Sequence, residues 1–155
     1  MTNHHDGGCM CGHVRYRLEG PPLIVHCCHC TECQRQTGSA FAVNVLIEHA
    51  RLILLAGELA EGRMPAESGR GQTVYSCPEC RVVIWSHYAN PKIAFVRAGT
   101  LDEPQTLPPD IHIFTRSKLP WVEIPHGAQR VEAFYDRKQV WPAASLARIE
   151  ALAHA

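Results

Sequence analysis

Gly8-Cys9-Met10-Cys11-Gly12-His13-Val14-Arg15-Tyr16-Arg17-Leu18-Glu19 sets two thiols on a glycine-bracketed turn and runs straight on into a strand. Val14, Tyr16 and Leu18 alternate with Arg15, Arg17 and Glu19, the period of two that marks a half-buried strand. A disulfide across Cys9-Met10-Cys11 would close a very tight, strained and easily reduced ring. The pair therefore reads as two thiolates offered to a metal. A matching knuckle stands far downstream: Cys77-Pro78-Glu79-Cys80, with Thr73-Val74-Tyr75 and Val82-Val83-Ile84-Trp85 on either side like the arms of a hairpin. Tetrahedral zinc held by four cysteines needs two such pairs. One ion bridging Cys9, Cys11, Cys77 and Cys80 would staple distant strands together, and zinc-driven folding of small fingers is worth roughly 10–16 kcal/mol. The alternatives for these thiols are core cysteines and a disulfide.

Outward from these knuckles the chain is a succession of short strands. Leu23-Ile24-Val25, Phe41 to Ile47, Arg51 to Leu55, Ile93 to Val96, Ile111 to Phe114 and Trp121 to Ile124 are strand candidates between Pro- and Gly-rich turns. Gly62 to Gln72, with Pro65, Gly69 and Gly71, reads as a loop. Thr31 to Thr37 suits one or two helical turns with Thr31 as N-cap and Gly38 as stop. From Pro142 to Ala153, Leu146, Ile149 and Leu152 recur at helical spacing, with Pro142 suited to the first turn. The expectation is an all-β fold of mainly antiparallel short strands, stapled by a zinc ion on four cysteines, with a short C-terminal helix. No boundary divides residues 1–155; the core is expected over about 8–135, with 142–153 as an accessory helix. Trp85, Trp121 and Trp141 read as core or subunit-contact residues.

Composition narrows the function. Lys+Arg 15 balance Asp+Glu 15, and no basic block interleaved with aromatics offers a nucleic-acid footprint. No apolar run reaches the roughly 20 residues of a membrane helix. Met1 to Gly8 lacks the basic start and apolar stretch of a signal peptide, so a cytoplasmic location is expected. In a reducing compartment, eight closely spaced cysteines read as metal ligands or catalysts before disulfides.

The densest cluster is His26-Cys27-Cys28-His29-Cys30-Thr31-Glu32-Cys33. Cys28, Cys30 and Cys33 can share one zinc and leave its fourth position to water or substrate, the mark of a catalytic site. Cys27 and His29 then point elsewhere, because neighbours in an extended chain face opposite sides. Two rivals stand beside this reading: closure of the site by Cys27, His26 or His29, and a metal-free thiol cluster acting as a redox sensor. His29 is either a proton shuttle or a histidine packed between ligands. Arg35, Arg63, Arg70, Lys92, Arg97 and Arg116 each read as a solvated charge or as a partner for a substrate carboxylate. Ser39 reads as turn chemistry or as a pocket-lining hydroxyl.

Gly8 to Tyr16, Cys28 to Cys33 with Gly38-Ser39-Ala40-Phe41, Cys77 to Cys80, Ala98 to Asp102, His112-Ile113-Phe114 and Pro120-Trp121 together resemble the GFA family. That family is named for the glutathione-dependent formaldehyde-activating enzyme and includes centromere protein V. The resemblance covers about Gly8 to Ile124. It implies a zinc-stapled all-β fold, with Cys9, Cys11, Cys77 and Cys80 as structural zinc ligands and Cys28, Cys30 and Cys33 as catalytic ones. Two zinc ions per chain are implied, the second open to partial occupancy. The implied reaction is zinc-dependent carbon–sulfur bond formation or cleavage, on a thiol–aldehyde adduct such as S-hydroxymethylglutathione. The partner is a small-molecule thiol or its adduct, glutathione included; no nucleic acid or membrane partner is expected, and a homo-oligomer is compatible. A non-catalytic zinc-stabilised binding module is the competing class. The chain departs from the family pattern at Cys27, an added thiol, and at Arg81, where glycine is common.

Overall fold

A computed structural model of the chain describes residues 3–155; Met1 and Thr2, at the head of the stretch read for a signal peptide, lie outside the described residues. The strands are β1 (His4–Gly8), β2 (Arg15–Glu19), β3 (Ile24–Cys28), β4 (Ala42–Glu48), β5 (Leu52–Ala56), β6 (Ala60–Met64), β7 (Gln72–Ser76), β8 (Val83–His87), β9 (Ile93–Arg97) and β10 (Ile111–Ile113). The helices are α1 (Thr31–Thr37), α2 (Arg137–Val140) and α3 (Ala143–Ala153). The all-β reading with a short C-terminal helix holds. None of the helices is long and apolar enough to cross a membrane.

The strands form two sheets, one ordered β1-β2-β5 and the other β10-β3-β4-β9-β8-β7-β6. All pairings are antiparallel except that of β10 with β3. β3 and its neighbour β4 are buried on both faces, so the large sheet has a core on each side. On one side Tyr16 and Leu18 of the small sheet, with Val14 just before β2, pack against Val25, Val45, Ile84 and Val96. The Tyr16 ring meets Trp85 edge-on at 6.3 Å across this interface. On the other side Ile24, Leu46, Ile111 and Ile113 gather the trio Cys28, Cys30 and Cys33, and Leu146, Ile149 and Leu152 of α3 pack over them.

Polar contacts fix α3 in place. Ser145 Oγ donates to the Leu23 carbonyl at 2.7 Å. Arg148 donates to both carboxylate oxygens of Glu48, at 2.7 and 2.5 Å, and to the Pro21 carbonyl at 2.9 Å. Burial by itself would raise the Glu48 carboxyl; the Arg148 hydrogen bonds outweigh it and hold the group below its ordinary value.

Four expectations need correction. Trp121 to Ile124 is not a strand, because the segment finds no ladder partner among the described residues, and Trp121, at 73 % exposure, keeps of its two readings only that of a subunit contact. The stretch from 62 to 72 is only partly loop: β6 pairs with β7 through to Met64↔Gln72, a polar strand whose Glu61 and Arg63 hid the alternation. The α1 cap is Cys30, not Thr31, because the Cys30 sulfur accepts the Cys33 amide while the Thr31 hydroxyl turns to Glu32. Pro142 stands as the α3 cap, one residue before the helix. β1 and α2 were not foreseen.

Two substitutions test these contacts. Arg148→Met should cost about 2–3 kcal/mol at neutral pH, because it strands a buried carboxylate. A carboxyl held low stabilises the fold above its ordinary value of 4.5 and stops doing so as pH falls through its folded value. The stability gap between parent and variant, followed by thermal melts, should therefore narrow below that pH. Arg81 sits at φ 66°, the left-handed region that a side chain disfavours by roughly 1–2 kcal/mol. Arg81→Gly should raise the melting temperature, with a net gain of about 0.5–1 kcal/mol after the greater unfolded-state freedom of glycine.

Candidate metal centres

The connection from β1 to β2 carries Cys9 and Cys11, and the β7–β8 hairpin carries Cys77 and Cys80. Their four sulfurs lie within 4.8 Å of one another. Cys9 Sγ stands 3.6 Å from Cys11 Sγ, and Cys11 Sγ 3.8 Å from Cys77 Sγ. Four sulfurs held tetrahedrally at about 2.3 Å from zinc stand about 3.8 Å apart, so this spacing suits the ion. All eight cysteines are free thiols. Each knuckle turns backbone amides onto its sulfurs: Val14 N donates to Cys9 at 3.2 Å and Cys80 N to Cys77 at 3.5 Å. A hydrogen bond from the Val82 amide pulls the Cys80 thiol down to about 6, favouring the thiolate that a metal binds. Gly12, at φ 83°, closes the first knuckle in a conformation suited to glycine. The cluster joins one sheet to the other, with Cys9 and Cys77 buried and Cys11 exposed.

The second set gathers at the end of β3. Cys28 leaves the strand, Cys30 caps α1 and Cys33 lies in its first turn, all three buried and within 4.8 Å of one another. Hydrogen bonding from Cys28 holds the Cys30 thiol low, and the same contact pushes Cys28 up. Of the residues weighed as a fourth ligand, none joins the trio: among the described residues no fourth His, Cys, Asp or Glu lies within that distance of all three. His26 points to the cavity side and bonds the Tyr135 hydroxyl, which also accepts from Trp141 Nε1 at 2.7 Å. Cys27 and His29 meet His112 on the opposite face. Burial pushes the Cys27 thiol up to about 12, which makes it a poor free nucleophile, and burial pulls His29 down to about 4.

Cys28 and Cys30 form the floor of a cavity of about 440 Å³. Its walls include Phe95, Phe114 and Phe134, with Arg70 and Arg116 toward the rim. Arg116 Nη2 donates to Glu67 at 2.5 Å, and oxygens of Glu67 and Glu32 come within 4.8 Å of the Cys30 sulfur. Of the other cations considered, buried Arg97 is taken up by Asn44 and Gln36, and Lys92 by backbone carbonyls near the C-terminus. Ser39 is exposed and its amide bonds the Thr37 hydroxyl, so it serves the turn. Sequence reasoning missed Glu67 and the meeting of His112 with His29. His112 lay inside a quoted motif, but no local spacing brings residue 67 to residue 30.

The family model described as glutathione-dependent formaldehyde-activating enzyme matches residues 4–117. A Halomonas elongata protein, whose name assigns it provisionally as a glutathione-dependent formaldehyde-activating enzyme, is 25 % identical over 126 residues, covering 77 % of this chain and 80 % of that protein. A crystal structure of a Rhodobacter sphaeroides protein is similar with a TM-score of 0.49 at 20 % identity, covering 63 % of this chain and 87 % of that one. With the family match running from β1 past β10 and taking in both sulfur clusters, the chain belongs to the GFA family.

Proposed function

We propose that the chain is a zinc-dependent carbon–sulfur lyase or synthase of the GFA type, acting on a thiol–aldehyde adduct such as S-hydroxymethylglutathione. One observation carries the reading: three buried thiols converge with no fourth ligand among the described residues, and two of them line a cavity large enough for a small molecule. Family membership and the relative's name support it. The other four thiols supply four ligands by themselves, the number a closed structural site needs.

Cys28, Cys30 and Cys33 would hold the catalytic zinc; Cys9, Cys11, Cys77 and Cys80 the structural one. Zinc held by three thiolates supplies a soft Lewis acid that accepts a further sulfur or polarises a carbonyl oxygen. In the synthetic direction the thiol adds across the aldehyde: a carbon–sulfur bond forms, the carbon–oxygen π bond breaks, and the thiol proton ends on the new hydroxyl. Cleavage is the reverse. The chain's part is to place and protonate. Arg70 and Arg116 at the rim offer donors to a substrate carboxylate, and the phenylalanine walls keep water from the adduct. Glu67, positioned by Arg116, and Glu32 are the carboxylates nearest the sulfurs for the proton that leaves the thiol.

A mild chelator should strip the trio first, because a three-ligand site exchanges metal more readily than a closed tetrahedral one. Protein in that state should keep its circular dichroism and lose consumption of S-hydroxymethylglutathione by more than about 100-fold, and added zinc should restore it. Cys30→Ser should reproduce the stripped state. Unfolding together with release of the first zinc would make the trio structural and end the catalytic reading.

Cys80→Ser should behave in the opposite way. It opens the clamp between the sheets, and the melting temperature should fall by about 10 °C or more. Equal melting of variant and parent, both with full zinc, would remove the structural assignment.

A further inference from the structure

The pleat of β3 separates two neighbouring thiols. Cys28 faces the cavity, whereas Cys27 faces the opposite side, where the ladder sets it beside His112 of β10. The His29 amide donates to the Ile113 carbonyl at 3.0 Å, which carries the chain alongside β10 and lays the His29 ring against that of His112. The rings are 5.2 Å apart and inclined by 24°. Cys27 Sγ lies 3.6 Å from His29 Nε2, which lies 2.9 Å from His112 Nδ1. Cys27 and His29 are 1 % and 0 % exposed, so both are held where solvent cannot satisfy them. The far nitrogen of His29, Nδ1, has no hydrogen-bond partner, so the polar contacts of this buried ring are the thiol and the second imidazole.

Around a tetrahedral zinc with bonds of about 2.3 Å to sulfur and about 2.05 Å to nitrogen, sulfur and nitrogen stand about 3.5 Å apart and two nitrogens about 3.3 Å. The separation of Cys27 Sγ from His29 Nε2 already matches, and His112 lies within 4.8 Å of both. The two nitrogens would part by about 0.4 Å, and His112, only half-buried, is the ring with room to move. We propose that Cys27 Sγ, His29 Nε2 and His112 Nδ1 form a further metal site for a tetrahedral divalent ion of the zinc type, its fourth position open to water past His112. Residues 27 to 30 then serve two ions in alternation, 28 and 30 on the cavity face and 27 and 29 on the other. The site stands independently of the function assigned to the trio.

The test is metal counting on the full chain reconstituted with zinc, followed by substitution with cobalt. The parent should hold three equivalents, and Cys27→Ser and His112→Gln two each, with circular dichroism unchanged. The third cobalt equivalent should carry a weaker sulfur-to-metal charge-transfer band than the trio, because one thiolate contributes instead of three, and Cys27→Ser should abolish it. Cys30→Ser should leave this third band in place, which separates failure of this site from failure of the trio. A metal count that neither Cys27→Ser nor His112→Gln lowers, or a cobalt band unchanged in both, would overturn the proposal. Should either variant fail to fold, the parent's count and cobalt spectrum decide alone.

Discussion

β3 is buried over all five of its residues, and its pleat sends each to the face opposite its neighbours. Val25 therefore enters the core shared with the small sheet while Ile24 enters the core beneath α3. A shift of one residue in its pairing with β4 would exchange the two sets and turn Cys28 away from the cavity. Register is pinned on both sides, by Cys28↔Ala42 on β4 and Cys28↔Ile113 on β10. The position of the sulfur trio is thus a consequence of strand pairing before it is one of metal chemistry. α1 completes it by taking Cys30 as cap and Cys33 into its first turn.

The four-thiol cluster answers a different need. The two sheets are separate ladders, joined by the packing of Val14, Tyr16 and Leu18 and by sulfurs that converge where two hairpin connections meet. Apolar packing alone tolerates sliding, because it has no directional preference. Four sulfurs gathered on one metal ion would not. Arg81 in a left-handed conformation beside this cluster shows the backbone of the second knuckle bent to serve the sulfurs.

Much of this was legible in the chain because the strongest signals were local. The alternation from Val14 to Leu18, the paired knuckles and the helical spacing of Leu146, Ile149 and Leu152 each carry their meaning within a dozen residues. β6 was hidden because a polar strand has no apolar face to betray it, and only pairing with β7 makes it one. Trp121 to Ile124 failed for the converse reason, an apolar stretch with no partner. Thr31 looked the better cap because caps are commonly oxygens, yet sulfur took the position since Cys30 was already aimed inward. Glu67 and His112 reach their neighbours through tertiary contacts alone, so nothing in local spacing pointed to them.

Beside His26 and Glu32, which come from the segments that carry the trio, much of the cavity wall is drawn from elsewhere: the turn before β7 brings Glu67 and Arg70, β9 brings Phe95, and a later stretch brings Phe114 and Phe134. Glu67, Arg70, Phe95 and Phe134 stand on elements other than the two that place the thiols. The placing of the sulfurs and the shape of the space above them are therefore largely separate constraints, the first set by β3 and α1 and the second shared with distant stretches. A lineage can thus reshape the space above the thiols while leaving the thiols where they are, and kinship in the sulfurs says little about what fits against them.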